Sequence, residues 1–173
     1  MAHSDRLTRT ARIIVRLAWA ANRLFIVGVV AAFLLTWIYP AQYADLIGRA
    51  IPGTDVPSAM TGARLLLLLG IAMAIVTDRL LAALADIIAT ASAGDPFIDA
   101  NAQRLQWIGW CLLALQLCEI PGALLAQHYP SLGPAAPSGD IWIGGWIGVL
   151  MVFVLARLFA AGAAMRDDLA GTV

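Results

Sequence analysis

The sequence predicts an all-α protein: a four-helix transmembrane bundle, both termini cytoplasmic, with the second and third helices extended into a cytoplasmic hairpin. Three observations lead there. AVILMFWYC residues make up 61% of the 173-residue chain and only 13% is charged, against about 25% charged in a soluble domain. A soluble fold of this size has no room to hide so much apolar surface. Four apolar stretches reach the ~20 residues a helix needs to cross a hydrocarbon core of about 30 Å. Finally, all 11 basic residues are Arg, and they are spread unevenly around those stretches. The same composition excludes disorder, a coiled coil and a disulfide-rich secreted domain. With a formal net charge of zero, direct binding of nucleic acid is not expected either.

Residues 1–173 read as a single integral membrane domain with spans at about 20–39, 62–85, 107–126 and 141–161. None alternates with period two, so a barrel is excluded. Ahead of the first span, Arg9, Arg12, Arg16 and Arg23 fall within about 60° on a helical wheel and form one basic stripe. Such a stripe suits anionic lipid headgroups, at about 1 kcal/mol per Arg near the surface, or a docked partner. A cleaved signal peptide is the rival reading of this first span, but cleavage near Ala41 or Ala44 leaves an odd number of spans.

Tyr39-Pro40 ends the first span, and residues 41–50 suit one short interfacial helix before the turn residues Pro52-Gly53 and Pro57. The second helical pattern runs from about 59 to 93, roughly 50 Å at 1.5 Å per residue. Its stripe of Leu80, Leu81, Leu84, Ile87, Ile88 and Ala91 continues past the membrane, with Asp86 and Thr90 on the other face. About 15–20 Å of helix therefore projects into the cytoplasm. Gly94-Asp95-Pro96-Phe97 then turns the chain: Gly supplies a left-handed cap, and Asp before Pro favours extended backbone. Asp99 is the expected N-cap of the third helix. Pro130, Pro134 and Pro137 break the last connection, Asp140 suits the cap of the fourth span, and Gly144 and Gly148 form a GxxxG pair. That pair permits close backbone approach within the bundle or between copies in a homo-oligomer.

Nine Arg (6, 9, 12, 16, 23, 79, 104, 157 and 166) flank one side of these spans, and Arg49 and Arg64 the other. The richer side faces the cytoplasm. An Arg-only, Ala- and Gly-rich chain also suggests a GC-rich bacterial genome, and hence the bacterial inner membrane.

Ionisable residues inside the membrane are where function is first sought. Pairing the second and third helices around Pro96 sets Trp107 opposite about Ala85, which puts Asp78 and Arg79 about 9–10 Å inside the inner boundary. Arg157 falls at a similar depth and Arg23 slightly shallower, so these four form a candidate polar layer. It reads either as a pocket or switch, or as helix pairing by ion pairs with Arg snorkelling to the interface. Glu119 stands about 18 Å deep, just before Pro121, which removes a helical hydrogen bond from the carbonyl of Leu117. Its carboxyl suits a proton or cation path, or seals the kink.

Gly94-Asp95-Pro96-Phe97, followed by Asn101-Ala102, Arg104-Leu105 and Ile108-Gly109-Trp110, resembles the signature of a bacterial family of uncharacterised small four-span membrane proteins. The tail Arg166-Asp167-Asp168-Leu169-Ala170-Gly171-Thr172-Val173 is similar to that family's C-terminus. The resemblance implies a membrane partner for a small helix-turn-helix regulator. It supplies no chemistry, so no catalytic residue is carried over.

Cys111 and Cys118 lie about 10 Å apart along one helix and cannot bridge each other. The histidines, His3 and His128, fall outside the spans, so bis-His haem ligation fails. No phosphate loop, metal cluster or nucleophile-base pair stands out. Neither an enzyme nor a cofactor is expected. Two functions remain. One is an interaction protein that recruits or sequesters a cytoplasmic regulator through Asp95, Pro96, Phe97, Asn101 and Arg104. The other is a small oligomeric transporter or channel subunit that uses Glu119 or the Asp78/Arg157 layer.

Overall fold

The computed structural model describes residues 2–92, 96–135 and 143–170 and, within them, the side chains of 9–92, 96–132 and 143–166. Gly94 and Asp95 of the turn, Asp140, and the last three residues of the tail lie outside the described residues. The described chain is helical throughout: α1 (Ala2–Ile38), α2 (Pro40–Ala50), α3 (Val56–Ser92), α4 (Asp99–His128), a 3₁₀ helix (Pro130–Ala135) and α5 (Ile143–Ala170). No strand occurs among the described residues. Segments of α1, α3, α4 and α5, at Arg9–Ile38, Val56–Ser92, Asp99–His128 and Ile143–Arg166, are long and apolar enough to cross a membrane. The protein is a multi-pass membrane protein.

Local chemistry sets the boundaries. Pro40 occupies the first turn of α2, where its missing N–H costs nothing. Ile51-Pro52-Gly53-Thr54 closes with the Thr54 N–H donating to the Ile51 carbonyl at 3.2 Å. Gly53 adopts φ +83° there, the conformation a type II turn with Pro before Gly demands. Asp99 stands one place inside α4 instead of capping it. The Ile98 carbonyl accepts from the N–H groups of Asn101 (2.9 Å) and Ala102 (3.4 Å), and in the first turn an Asp still complements the helix dipole. The basic lead is no separate segment, because α1 is helical from Ala2 onward. Pro121 lies within α4, which continues to His128; membrane helices tolerate such a residue.

The chain divides into two compact units. The hairpin unit comprises Met1–Asn22, Val76–Ala114 and Trp142–Val173, and the loop unit Arg23–Ile75 and Leu115–Ile141. In the hairpin unit α3 and α4 run antiparallel, with Thr90 bonded to Asn101 and Asp86 facing Arg104. This register carries on to within a residue or two of the predicted Ala85–Trp107 level. α5 runs antiparallel to α4, as Phe97–Phe159 and Trp110–Phe153 contacts establish. Its core is built largely from small side chains: Ala83, Ala102, Ala156 and Ala163 are buried, beside Val15, Leu105, Ile108, Cys111 and Val149.

In the loop unit α1 and α3 are antiparallel, with Arg64 on Thr36 and Gly70 against Val29. Ala59, Ala74 and Thr36 are its buried residues besides Gly among those described. Large apolar side chains point outward in both units, Leu24 being 74% and Met151 67% exposed. That inversion is what lipid permits: outward Leu costs nothing there, and small residues let helices approach.

Candidate interaction site at the hairpin end

The end of the hairpin unit is organised by Asn101. Its side chain is fully buried (0% exposed). Its amide donates to Thr90 Oγ1 at 2.8 Å and to the Pro96 carbonyl at 2.9 Å, and its Oδ1 accepts from Arg104 Nη1 at 2.9 Å. Each partner has a local reason to be available. Pro96 follows a helix end, where carbonyls lack intrahelical donors. Thr90 shares its hydroxyl with the Ile87 carbonyl of its own helix. Arg104 sits one turn after Asn101 on the same face of α4. A buried amide with its partners in place pins two helices and the turn between them in one geometry.

Phe97 is fixed by a second set of contacts and remains 45% exposed. Its ring lies 5.0 Å from that of Phe159 and fills the space a Cβ on Gly162 would occupy, 2.9 Å from it. Its carbonyl accepts from Arg166 Nη1 at 3.2 Å. Arg104 Nε is 3.9 Å from Asp86 Oδ2, with the Asp86 side chain 63% exposed. Pro96, Phe97, Asn101 and Arg104 are thus brought together; Asp95 lies outside the described residues. Arg9, Arg12 and Arg16 are exposed on α1.

The residues expected inside the membrane are distributed among several settings. Asp78 Oδ1 accepts from Trp19 Nε1 at 2.7 Å, joining α3 to α1. Arg79 borders a groove with Asp86, Gln103, Arg104 and Trp107. Arg157 lines a separate cavity between α4 and α5. Arg23 is the first residue of the loop unit. Glu119 is half-buried in that unit and makes no hydrogen bond or ion pair among the described residues. One turn before it, Gln116 Nε2 is buried without a hydrogen-bond partner.

Several organising contacts escape sequence reasoning. Arg64 donates through Nε to Thr36 Oγ1 (3.2 Å) and through Nη2 to the Thr36 carbonyl (2.7 Å), and stacks 4.0 Å from the Trp37 ring centroid. It thereby satisfies a carbonyl in the last turn of α1. Close helix approach occurs at Gly62 against Tyr129, Gly109 against Phe153 and Gly162 against Phe97. At Gly148 a Cβ would meet nothing within 4 Å, so this part of the GxxxG pair makes no close approach to another described residue. Cys111 and Cys118 are both free thiols. Groups of three or more His, Cys, Asp or Glu able to hold a metal are absent among the described residues.

No match is found among curated proteins or solved structures. Over residues 35–173, a stretch that takes in the hairpin and α5, the chain matches and belongs to the family described as "Protein of unknown function (DUF2975)".

Proposed function

We propose that this is a non-enzymatic membrane protein of the bacterial inner membrane whose hairpin end recruits or sequesters a soluble regulator. The hairpin end and both termini face the cytoplasm, on the nine-to-two division of Arg. The regulator is a small helix-turn-helix protein, in keeping with the resemblance of the Gly94–Phe97 and Asn101–Arg104 motif to bacterial relatives. One observation carries the reading. The fully buried Asn101 bonds both the Pro96 carbonyl and Arg104, so that half-exposed Phe97 and charged Arg104 stand together as an apolar-plus-cationic tip. A fixed tip binds without the entropic cost of ordering a loop. Burial of Asn101 is not needed to connect two helices; it is needed to hold them in one arrangement.

The test is co-purification of the detergent-solubilised protein with the product of the neighbouring gene. Phe97→Ala and Arg104→Ala each lower recovery at least tenfold at a temperature where circular dichroism shows both variants still folded. Recovery unchanged in both variants defeats the proposal. Single-cysteine labelling at position 97 or 53 in intact cells tests the orientation, with position 53 expected to react with an impermeant reagent.

Partnerless Gln116 Nε2 and Glu119, one turn apart, favour a second reading, a small oligomeric transporter or channel subunit. On that reading Glu119→Gln abolishes a pH-dependent flux. A wild-type flux in that variant removes it.

A further inference from the structure

We propose that the cavity between α4 and α5 is a lipid-headgroup site, selective for a phospholipid that carries a primary ammonium, as phosphatidylethanolamine does. The cavity measures about 560 Å³ and is lined by Asp99, Gln103, Gln106, Phe153, Arg157 and three alanines. That volume lies within the ~300–1,000 Å³ usual for small-molecule sites. Asp99, Gln103 and Gln106, spaced four and three apart, share one face of α4. All three, and Arg157 opposite them on α5, are exposed, so the cavity opens on the flank of the hairpin unit.

Arg157 and Asp99 line one space and form no ion pair with each other or with another described residue. Two opposite charges that share one space without pairing suit a ligand that carries both signs, separated along the cavity. The order of the lining residues gives its orientation. Asp99 is the first residue of α4, beside the turn at the hairpin end. The Phe97–Phe159 and Trp110–Phe153 contacts bracket Arg157 between the levels of Asp99 and Gln106, with the midpoint about one turn deeper than Asp99. A phospholipid presents its charges in the same sequence, ammonium outermost and phosphate nearer the hydrocarbon. The ammonium donates to Asp99, and the phosphate accepts from Arg157 and the Gln103 and Gln106 amides. The acyl chains continue along the apolar flank that begins with Phe153 and Trp110, the latter 53% exposed. A choline headgroup cannot donate to Asp99, and a glycerol headgroup leaves that carboxylate without its counter-charge.

The test uses the full chain in nanodiscs of mixed phosphatidylethanolamine, phosphatidylcholine and phosphatidylglycerol, with lipid retained after detergent exchange quantified by mass spectrometry. Phosphatidylethanolamine is expected to be enriched about tenfold over the other two. Arg157→Gln abolishes retention of all three above background, and Asp99→Asn removes the preference while leaving a phosphate-dependent remainder. Equal retention of the three lipids by the wild type overturns the proposal, as does wild-type selectivity in Asp99→Asn. Competition by soluble phosphoethanolamine at concentrations that match the lipid's own strength assigns the site to a free phosphate compound and overturns the lipid assignment. A dimer in the wild type that Arg157→Gln converts to monomer assigns the cavity to a second copy and does the same.

Discussion

The two units of this chain hold their helices together by different means. Among the described residues, nine of the eleven buried apolar ones, from Val15 to Ala163, belong to the hairpin unit, and Ala59 and Ala74 to the loop unit. The hairpin unit adds a fully buried polar side chain, Asn101, that serves three partners at once. The loop unit relies on contacts near its connections: Arg64 on the end of α1, and Tyr129 pressed onto Gly62. In a bilayer apolar surface supplies no net attraction between helices, so specificity comes from close approach and from hydrogen bonds. The hairpin unit uses both; the loop unit concentrates them at two places. This difference separates a firmly specified unit from one whose described buried set is small.

The sharpest attack on that contrast is Asn101→Ala. It leaves the Pro96 carbonyl, Thr90 and Arg104 without their shared partner and is expected to cost about 3 kcal/mol, seen as a large fall in thermal midpoint in detergent. A wild-type midpoint in that variant means the polar clamp does not specify the hairpin unit. Next comes Gly62→Leu. A side chain there collides with the Cβ and ring of Tyr129, 2.7–3.0 Å from an added Cβ, for about 2 kcal/mol. Adding Tyr129→Ala recovers most of the loss if the clash is the cause, which a double-mutant cycle reads directly. Arg64→Lys keeps the charge but not the planar fork that spans both Thr36 oxygens, at about 1 kcal/mol. A larger loss than in Asn101→Ala would reverse the ranking of the two units. The smallest effect belongs to Gly148→Ala, where open space and better helix propensity predict a change of ~0.5 kcal/mol at most, in the stabilising direction. Destabilisation, or a changed oligomeric state by light scattering, would show that face of α5 to be packed after all.

What could be read beforehand divides along physical lines. Spans, turns and the hairpin were legible because they depend on neighbours in the chain: run length, Pro52-Gly53 at the type II turn, Pro96 at the tip. The proximity of Asn101 to Arg104 was legible from spacing, since residues three apart on α4 face the same way, and Pro96 and Phe97 precede that first turn. The register of α3 on α4 followed from the shortness of the turn. The bond from Trp19 to Asp78 joins residues 59 apart, and the Arg64–Thr36 contact joins residues 28 apart. Both rest on which faces of two helices meet, which no local pattern reports. Glycine illustrates the same boundary. Gly148 advertises itself by its spacing from Gly144 yet meets nothing within 4 Å, whereas Gly62, Gly109 and Gly162 face aromatic rings. A motif registers that a residue is small but not whether an aromatic ring faces it. The division of Arg79 and Arg157 between two cavities was hidden for the same reason, since it depends on which faces of α3, α4 and α5 meet.

The seat of Phe97 on Gly162 limits how α5 can move. Its ring sits where every residue but glycine carries a Cβ, and the positions on either side of Gly162 are alanines. A slide of one residue, about 1.5 Å, drives a methyl group into the ring, and a full turn brings up Leu158 or Arg166. No neighbouring position offers a second seat. Axial motion of α5 at this level is therefore a matter of docked or undocked, not of gradual displacement, and the exposed aromatic at the tip reports which of the two holds.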